Sequence, residues 1–95
     1  MYYCIAYDIS SNRIRLRASK WCRQAGLERL QRSVFIGASD PDRIDELVGR
    51  LRPILPRTDQ LAVMPLDRDT YLQMLSGSRL PSAEKAGKSI VIWEF

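Results

Sequence analysis

The sequence contains no histidine. That absence removes the Ser-His-Asp triad, the Cys-His pair and the imidazole zinc cage. Acid–base chemistry near neutral pH would have to come from a carboxylate, a lysine, a tyrosine or a metal-bound water. If the chain catalyses a reaction, a hard metal on oxygen ligands is the engine that these residue types leave. Cys4 and Cys22 are too few and too far apart for a disulfide scaffold or a zinc site, and they read as small buried hydrophobes.

The stronger chemical signal is guanidinium. Twelve of the 15 basic residues are arginine, whose planar fork suits phosphate. Residues 12–32 carry Arg13, Arg15, Arg17, Lys20, Arg23, Arg29 and Arg32 against Glu28 alone, a local balance of +6 in a chain whose net charge is +4. So concentrated a patch points to an anionic partner, nucleic acid first, with a solvated helix face as the plain alternative. Nothing in the pattern looks like base-edge readout, so contacts to the phosphate backbone and little sequence preference are expected.

These side chains need a scaffold. Tyr2 to Ile9 reads as a strand with Tyr3, Ile5, Tyr7 and Ile9 on one face and Cys4, Ala6 and Asp8 on the other. The small side chains of that second face leave room for another layer. Asp8 closes the strand, a place where aspartates also cap turns. Ser10, Ser11 and Asn12 are helix caps, and Ile14, Ala18, Trp21, Cys22 and Ala25 then recur at helical spacing up to Gly26, a natural C-cap.

Leu27 to Ile36 returns to strand character around a polar middle, Gln31-Arg32-Ser33. It reads as two short strands joined by a tight turn, or one bulged strand, ended by Gly37. Asp40-Pro41 opens a second helix with Ile44, Leu47, Val48 and Leu51 as its buried stripe, stopped by Pro53. A strand over 58–66 and a short helix over 68–76 follow, then a polar connection from Gly77 to Lys88. Ser89 to Phe95 is an apolar strand built to join a sheet edge, its own or a partner's. We expect it to pair outside the chain's central strands and to take part in dimerisation.

The order is that of an α+β, ferredoxin-like βαββαβ domain with an extra C-terminal strand, a single domain over residues 1–95. Composition is ordinary for a globular protein, 45% hydrophobic and 27% charged. No apolar run is long enough for a membrane span and no secretory pattern opens the chain, so no membrane association and a cytoplasmic location are expected.

Tyr7-Asp8-Ile9-Ser10, the arginine-rich helix, and then Gly26-Leu27-Glu28-Arg29-Leu30-Gln31-Arg32-Ser33-Val34-Phe35-Ile36-Gly37 together resemble the CRISPR-associated protein 2 family. The resemblance runs along the whole chain, through the strand ending Met64-Pro65-Leu66 and the apolar terminal strand. It implies a symmetric homodimer that acts in spacer acquisition. Its implied partners are the CRISPR integrase (CRISPR-associated protein 1) and double-stranded DNA, with RNA as a further substrate.

Several members of that family resemble Mg²⁺-dependent endonucleases acting on RNA or DNA. For these the resemblance implies Asp8 as the metal residue, Asp8 and Tyr7 as catalytic, and Arg15, Arg17, Arg29 and Phe35 as nucleic-acid-binding. Many members carry a further carboxylate soon after the first strand and a Phe-Glu-Gly motif, where this chain has Ser11, Asn12 and Ile36. A lone carboxylate is a poor Mg²⁺ site. A two-fold axis near the strand end would bring a second Asp8 to it. A stand-alone toxin-type endoribonuclease and a non-catalytic RNA-binding module of the same fold are the alternative functions.

Overall fold

The computed structural model describes residues 1–77 and 91–94. The elements run β1 (Tyr2–Asp8), α1 (Asn12–Gln24), β2 (Glu28–Gln31), β3 (Val34–Ala38), α2 (Pro41–Leu51), a 3₁₀ turn (Arg52–Ile54), β4 (Gln60–Leu66), α3 (Arg68–Gly77) and β5 (Val91–Glu94). The sheet order is β2-β3-β1-β4-β5, with every neighbouring pair antiparallel. The first four strands and two crossover helices are the split βαβ arrangement expected from the sequence.

Alternation along β1 sorts the core into two layers. Tyr3, Ile5 and Tyr7 join Phe35, Leu61 and Val63 under α1 and α2, whose Ala18, Cys22, Ile44, Leu47, Val48 and Leu51 close the cluster. Cys4 lies on the other face with Val34, Ile36, Met64 and Leu66, under Met74 of α3. Tyr71 of α3 also stacks on Tyr2, with ring centroids 4.2 Å apart. The second layer that the small side chains left room for is therefore supplied, at one end of the sheet, by the chain itself.

Local signals fix the helix ends. Ser11 caps α1, its Oγ accepting the Ile14 N–H at 3.3 Å. The helix stops in a Schellman motif: Gly26 N–H donates to the Arg23 carbonyl and Leu27 N–H to the Cys22 carbonyl, with Gly26 at φ +94°. Asp40 caps α2 through the Arg43 N–H at 2.9 Å, with Pro41 in the first turn. The β2–β3 connection is a tight hairpin turning at Arg32 and Ser33, so of the two readings the paired short strands hold and the single bulged strand does not; a register shift falls between Arg29 and Gln31.

Some boundaries differ from the sequence reading. Gly37 does not end β3, which continues to Ala38. It sits where the chain passes closest to the turn after α1: a Cβ there would lie 2.9 Å from the Gly26 carbonyl oxygen. The fourth strand starts at Gln60 rather than residue 58, because Asp59 is drawn inward. The terminal strand Val91–Glu94 adds to the edge of this chain's own β4. Of the two edges open to it in the sequence, a single chain uses its own, so no exchange with a partner is needed to pair it. The rest of the expected terminal strand, and the polar connection beyond Gly77, lie outside the described residues.

Candidate functional site

Tyr7 and Asp8 are neighbours in sequence and face opposite sides of the sheet. Tyr7 points under the helices. Its ring packs on Phe35 with centroids 6.2 Å apart, and it helps to line a recess with Asn12, Arg15, Leu16, Arg29 and Arg32. Three of the six site residues inferred by resemblance, Tyr7, Arg15 and Arg29, thus meet at one place. Phe35 lies directly beneath them.

The two arginines are held, not dangling. Arg15 Nη1 donates to the Ile9 carbonyl at 2.9 Å, which anchors it to the turn between β1 and α1. Arg29 Nη2 donates to Ser19 Oγ at 2.9 Å, while its guanidinium lies 5.3 Å from the centre of the Phe35 ring. Each keeps further N–H groups for a ligand, since a guanidinium carries five. Among the described residues the ion pairs are Arg43–Asp40 and Arg50–Glu46, so no carboxylate neutralises Arg15, Arg29 or Arg32.

Burial raises the Tyr7 pKa, with the Cys22 thiol adding to the effect, against the opposing pull of Arg29 and Arg15. The phenol therefore stays protonated near neutral pH, fit to donate a hydrogen bond and unfit to act as a base. Burial likewise pushes the thiols of Cys4 and Cys22 up to about 12. Neither is a nucleophile at neutral pH.

Phe35 is completely buried. Direct contact with nucleic acid, expected from the resemblance, gives way to support from below: it is the floor on which Arg29 rests. Arg17 is exposed on α1 and does not join the recess, because two residues along a helix turn it to another side from Arg15. In the sequence Arg32 is one more charge of the basic patch. The two-residue hairpin turn brings it to the recess.

Asp8 is exposed on the opposite face, across from Gln60 in the β1–β4 ladder. With Ala6, Ala62 and Gln60 it lines a shallow recess of about 240 Å³ that α3 leaves uncovered. A single chain does not fit Mg²⁺ here. Among the described residues no group of three His, Cys, Asp or Glu side chains could hold a metal, and Mg²⁺ wants near-octahedral oxygen ligation.

One residue escapes the sequence reading. Asp59 is only 3% exposed, and its Oδ1 accepts both the Ser10 N–H at 3.3 Å and the Ser10 hydroxyl at 3.0 Å. It ties the start of β4 to the turn that follows Asp8, and so fixes the direction in which β1 ends. Its Oδ2 is buried with no hydrogen-bond partner among the described residues.

The fold and this strand end define a ferredoxin-like α+β domain with an arginine rim on one side, unpaired with carboxylates among the described residues, and Asp8 exposed on the other. Residues 1–74 match the family described as CRISPR associated protein Cas2. The chain belongs to that family. It is 36% identical over 69 residues to a CRISPR-associated endoribonuclease Cas2 of Pyrobaculum aerophilum, covering 72% of this chain and 76% of that protein. It is also 33% identical over 88 residues to a Cas1/Cas2 endonuclease fusion of Thermoproteus tenax, covering 92% of this chain and 32% of the fusion. Among solved structures, a hypothetical protein from Thermus thermophilus, TT1823, superposes with a TM-score of 0.63 at 31% identity, covering 70% of this chain and 80% of that one. No helix among the described residues is long and apolar enough to cross a membrane.

Proposed function

We propose that this protein is a CRISPR adaptation factor: a homodimer that partners the integrase Cas1 and holds double-stranded DNA through its arginine rim. The observation that carries this reading is the set of braced guanidinia, Arg15 and Arg29, without carboxylate partners among the described residues, at the end of β1. Braced cations lose little freedom on binding, and a row of them matches a phosphate backbone without reading bases. The partnership with Cas1 draws support from the Thermoproteus relative, whose name joins Cas1 and Cas2 in one chain.

Endonuclease activity on RNA or DNA is the second part of the proposal, supported by the names of the relatives. Among the described residues no group of ligands completes a metal site around Asp8, so Mg²⁺ would be held by Asp8 from each of two copies, brought together across the face that Ala6 and Ala62 line. Bound there, the metal supplies charge neutralisation at phosphorus. Asp8 itself would hold the metal, and the protonated Tyr7 would keep the strand end rigid.

The deciding experiment is reconstitution with Cas1: the chain should co-purify with it and raise insertion of a short duplex. In the same preparation, about six phosphate contacts per dimer should give a slope near −5 for log affinity against log salt, flattened by replacing Arg15 and Arg17 together with alanine. Failure to support insertion, with cleavage of generic RNA retained, would favour the stand-alone endoribonuclease instead.

A further inference from the structure

Another concavity lies on the outer side of the helix layer and shares no lining residue with the recess beside Tyr7 or the one beside Asp8. It is a cleft of about 260 Å³ between the last turns of α1 and the outer face of α2. Trp21 and Leu47 give it apolar surface, and Arg43, Glu46 and Arg50 give it charge. Spacing along α1 reads Trp21 as part of the buried stripe. The structure leaves it half-buried, one side packed on the core and the other bordering the cleft.

The guanidinium of Arg50 lies 6.0 Å from the centre of the Trp21 ring, and its Nη2 donates to Glu46 at 2.8 Å. Arg43 Nε pairs with Asp40 at 3.5 Å. Each guanidinium has N–H groups to spare. Positions 43, 46 and 50 follow one another on one face of α2, so a carboxylate stands between two cations. On α1 the side that carries Trp21 continues to Lys20 and Arg17, both exposed and without ion-pair partners among the described residues.

This mixture disfavours a phosphate backbone. A duplex presents one sign of charge, and its phosphates would meet Glu46 wherever they met Arg43 and Arg50. A protein segment can answer both signs, with carboxylates for the arginines and an N–H for Glu46. Tryptophan and arginine are also the side chains that most often anchor protein interfaces, within a rim of polar groups. The excess of cations on this side, with Lys20 and Arg17 added, calls for an acidic segment rather than a basic one.

We propose that this cleft docks an acidic, amphipathic segment of a protein partner, with an apolar side chain against Trp21 and Leu47 and carboxylates on Arg43 and Arg50. The proposal does not rest on the nucleic-acid reading, because it uses none of the residues assigned to phosphate.

The test uses the full chain carrying Trp93→Phe, in which Trp21 is the one remaining indole and its fluorescence reports the cleft. The first probe is a helical peptide of about 15 residues with leucine on one face and glutamate on the other. The comparison probes are the same peptide with serine for leucine, the same with lysine for glutamate, and a DNA duplex. The first peptide should bind and shift the Trp21 emission, and each replacement should weaken it by about tenfold or more. Arg50→Glu, at an exposed position, should weaken the first peptide by about tenfold and leave duplex affinity unchanged.

The proposal falls if the acidic peptide does not bind, or if it binds Arg50→Glu as tightly as the parent. It falls too if the serine peptide binds as well as the leucine one, because charge alone then attracts it. A duplex that shifts Trp21 and weakens with Arg50→Glu would assign the cleft to nucleic acid and overturn the protein partner. Absence of duplex binding removes the nucleic-acid reading alone, and the peptide result still decides this one.

Discussion

Among the described residues the two faces of the sheet are covered to different degrees. Under α1 and α2 the layer is closed, and its rim carries side chains already braced: Arg15 on the Ile9 carbonyl, Arg29 on Ser19 and over Phe35. On the other face α3 covers one end through Met74 and Tyr71 and stops short of Ala6, Ala62, Gln60 and Asp8. The difference teaches which tasks one chain can do alone. On the proposed function, holding phosphate would need only the first face, and metal chemistry would need something to complete the second.

Breaking the finished face should have the largest effect. Phe35→Ala empties a fully buried site and should destabilise the fold by about 3–5 kcal/mol. It should also lower nucleic-acid affinity, because Arg29 loses the ring beneath it. Denaturant unfolding together with a binding titration checks both. Unchanged stability with lost binding would mean that the ring meets the ligand directly.

Alkaline titration sharpens the comparison, because each face buries one thiol: Cys22 under the helices and Cys4 beneath the α3 layer. Burial raises both folded pKa values from 9.0 to about 12. The unfolded chain therefore ionises first. The contribution to stability is whole below pH 9 and is lost as pH rises from there towards 12. Cys22→Ala should remove the part of this slope that belongs to the helix face, and Cys4→Ala the part that belongs to the other. Unfolding midpoints measured from about pH 8 to about pH 11 report it, and a flat profile in the wild type would contradict the burial of both.

A smaller effect is expected at the seam between the faces. Asp59→Ala removes the acceptor for the Ser10 N–H and hydroxyl, at a cost of about 1–3 kcal/mol. The loss should loosen the turn after Asp8 more than the sheet, so amide exchange at Ser10 and Ser11 should quicken while that of Ile5 stays slow. Equal acceleration at all three would place Asp59 in the global fold rather than the turn.

Much of this was legible in the sequence, and the rest was not for definite reasons. The stripe Ile44, Leu47, Val48 and Leu51 is buried as read, because spacing alone decides which side of a helix is apolar. Ser11, Asp40 and Gly26 act where their types placed them, since capping is a local affair. The helix after β4 was legible too, but not the face it covers, which depends on the distant partners Tyr2, Cys4 and Met64. Asp59 looked like the beginning of a strand. Its burial comes from Ser10, 49 residues away, a contact that local spacing cannot display.

The site divided along the same line. Tyr7, Arg15 and Arg29 come together in one recess, whereas Asp8 is separated from them by the alternation of β1 itself. Alternation was readable from the sequence. It already set Tyr7 and Asp8 on opposite faces, and the structure adds what lies on each.

The measurement that bears most directly on this division is a paired one on Asp8→Asn, with duplex affinity and Mg²⁺-dependent cleavage determined on the same preparation. Asn keeps the shape and removes one negative charge from the exposed face opposite the arginines. Duplex affinity should hold or rise slightly, while any metal-dependent cleavage shown by the wild type should disappear. Loss of duplex affinity in Asp8→Asn, or cleavage at the wild-type rate, would contradict the separation of binding from chemistry across the sheet.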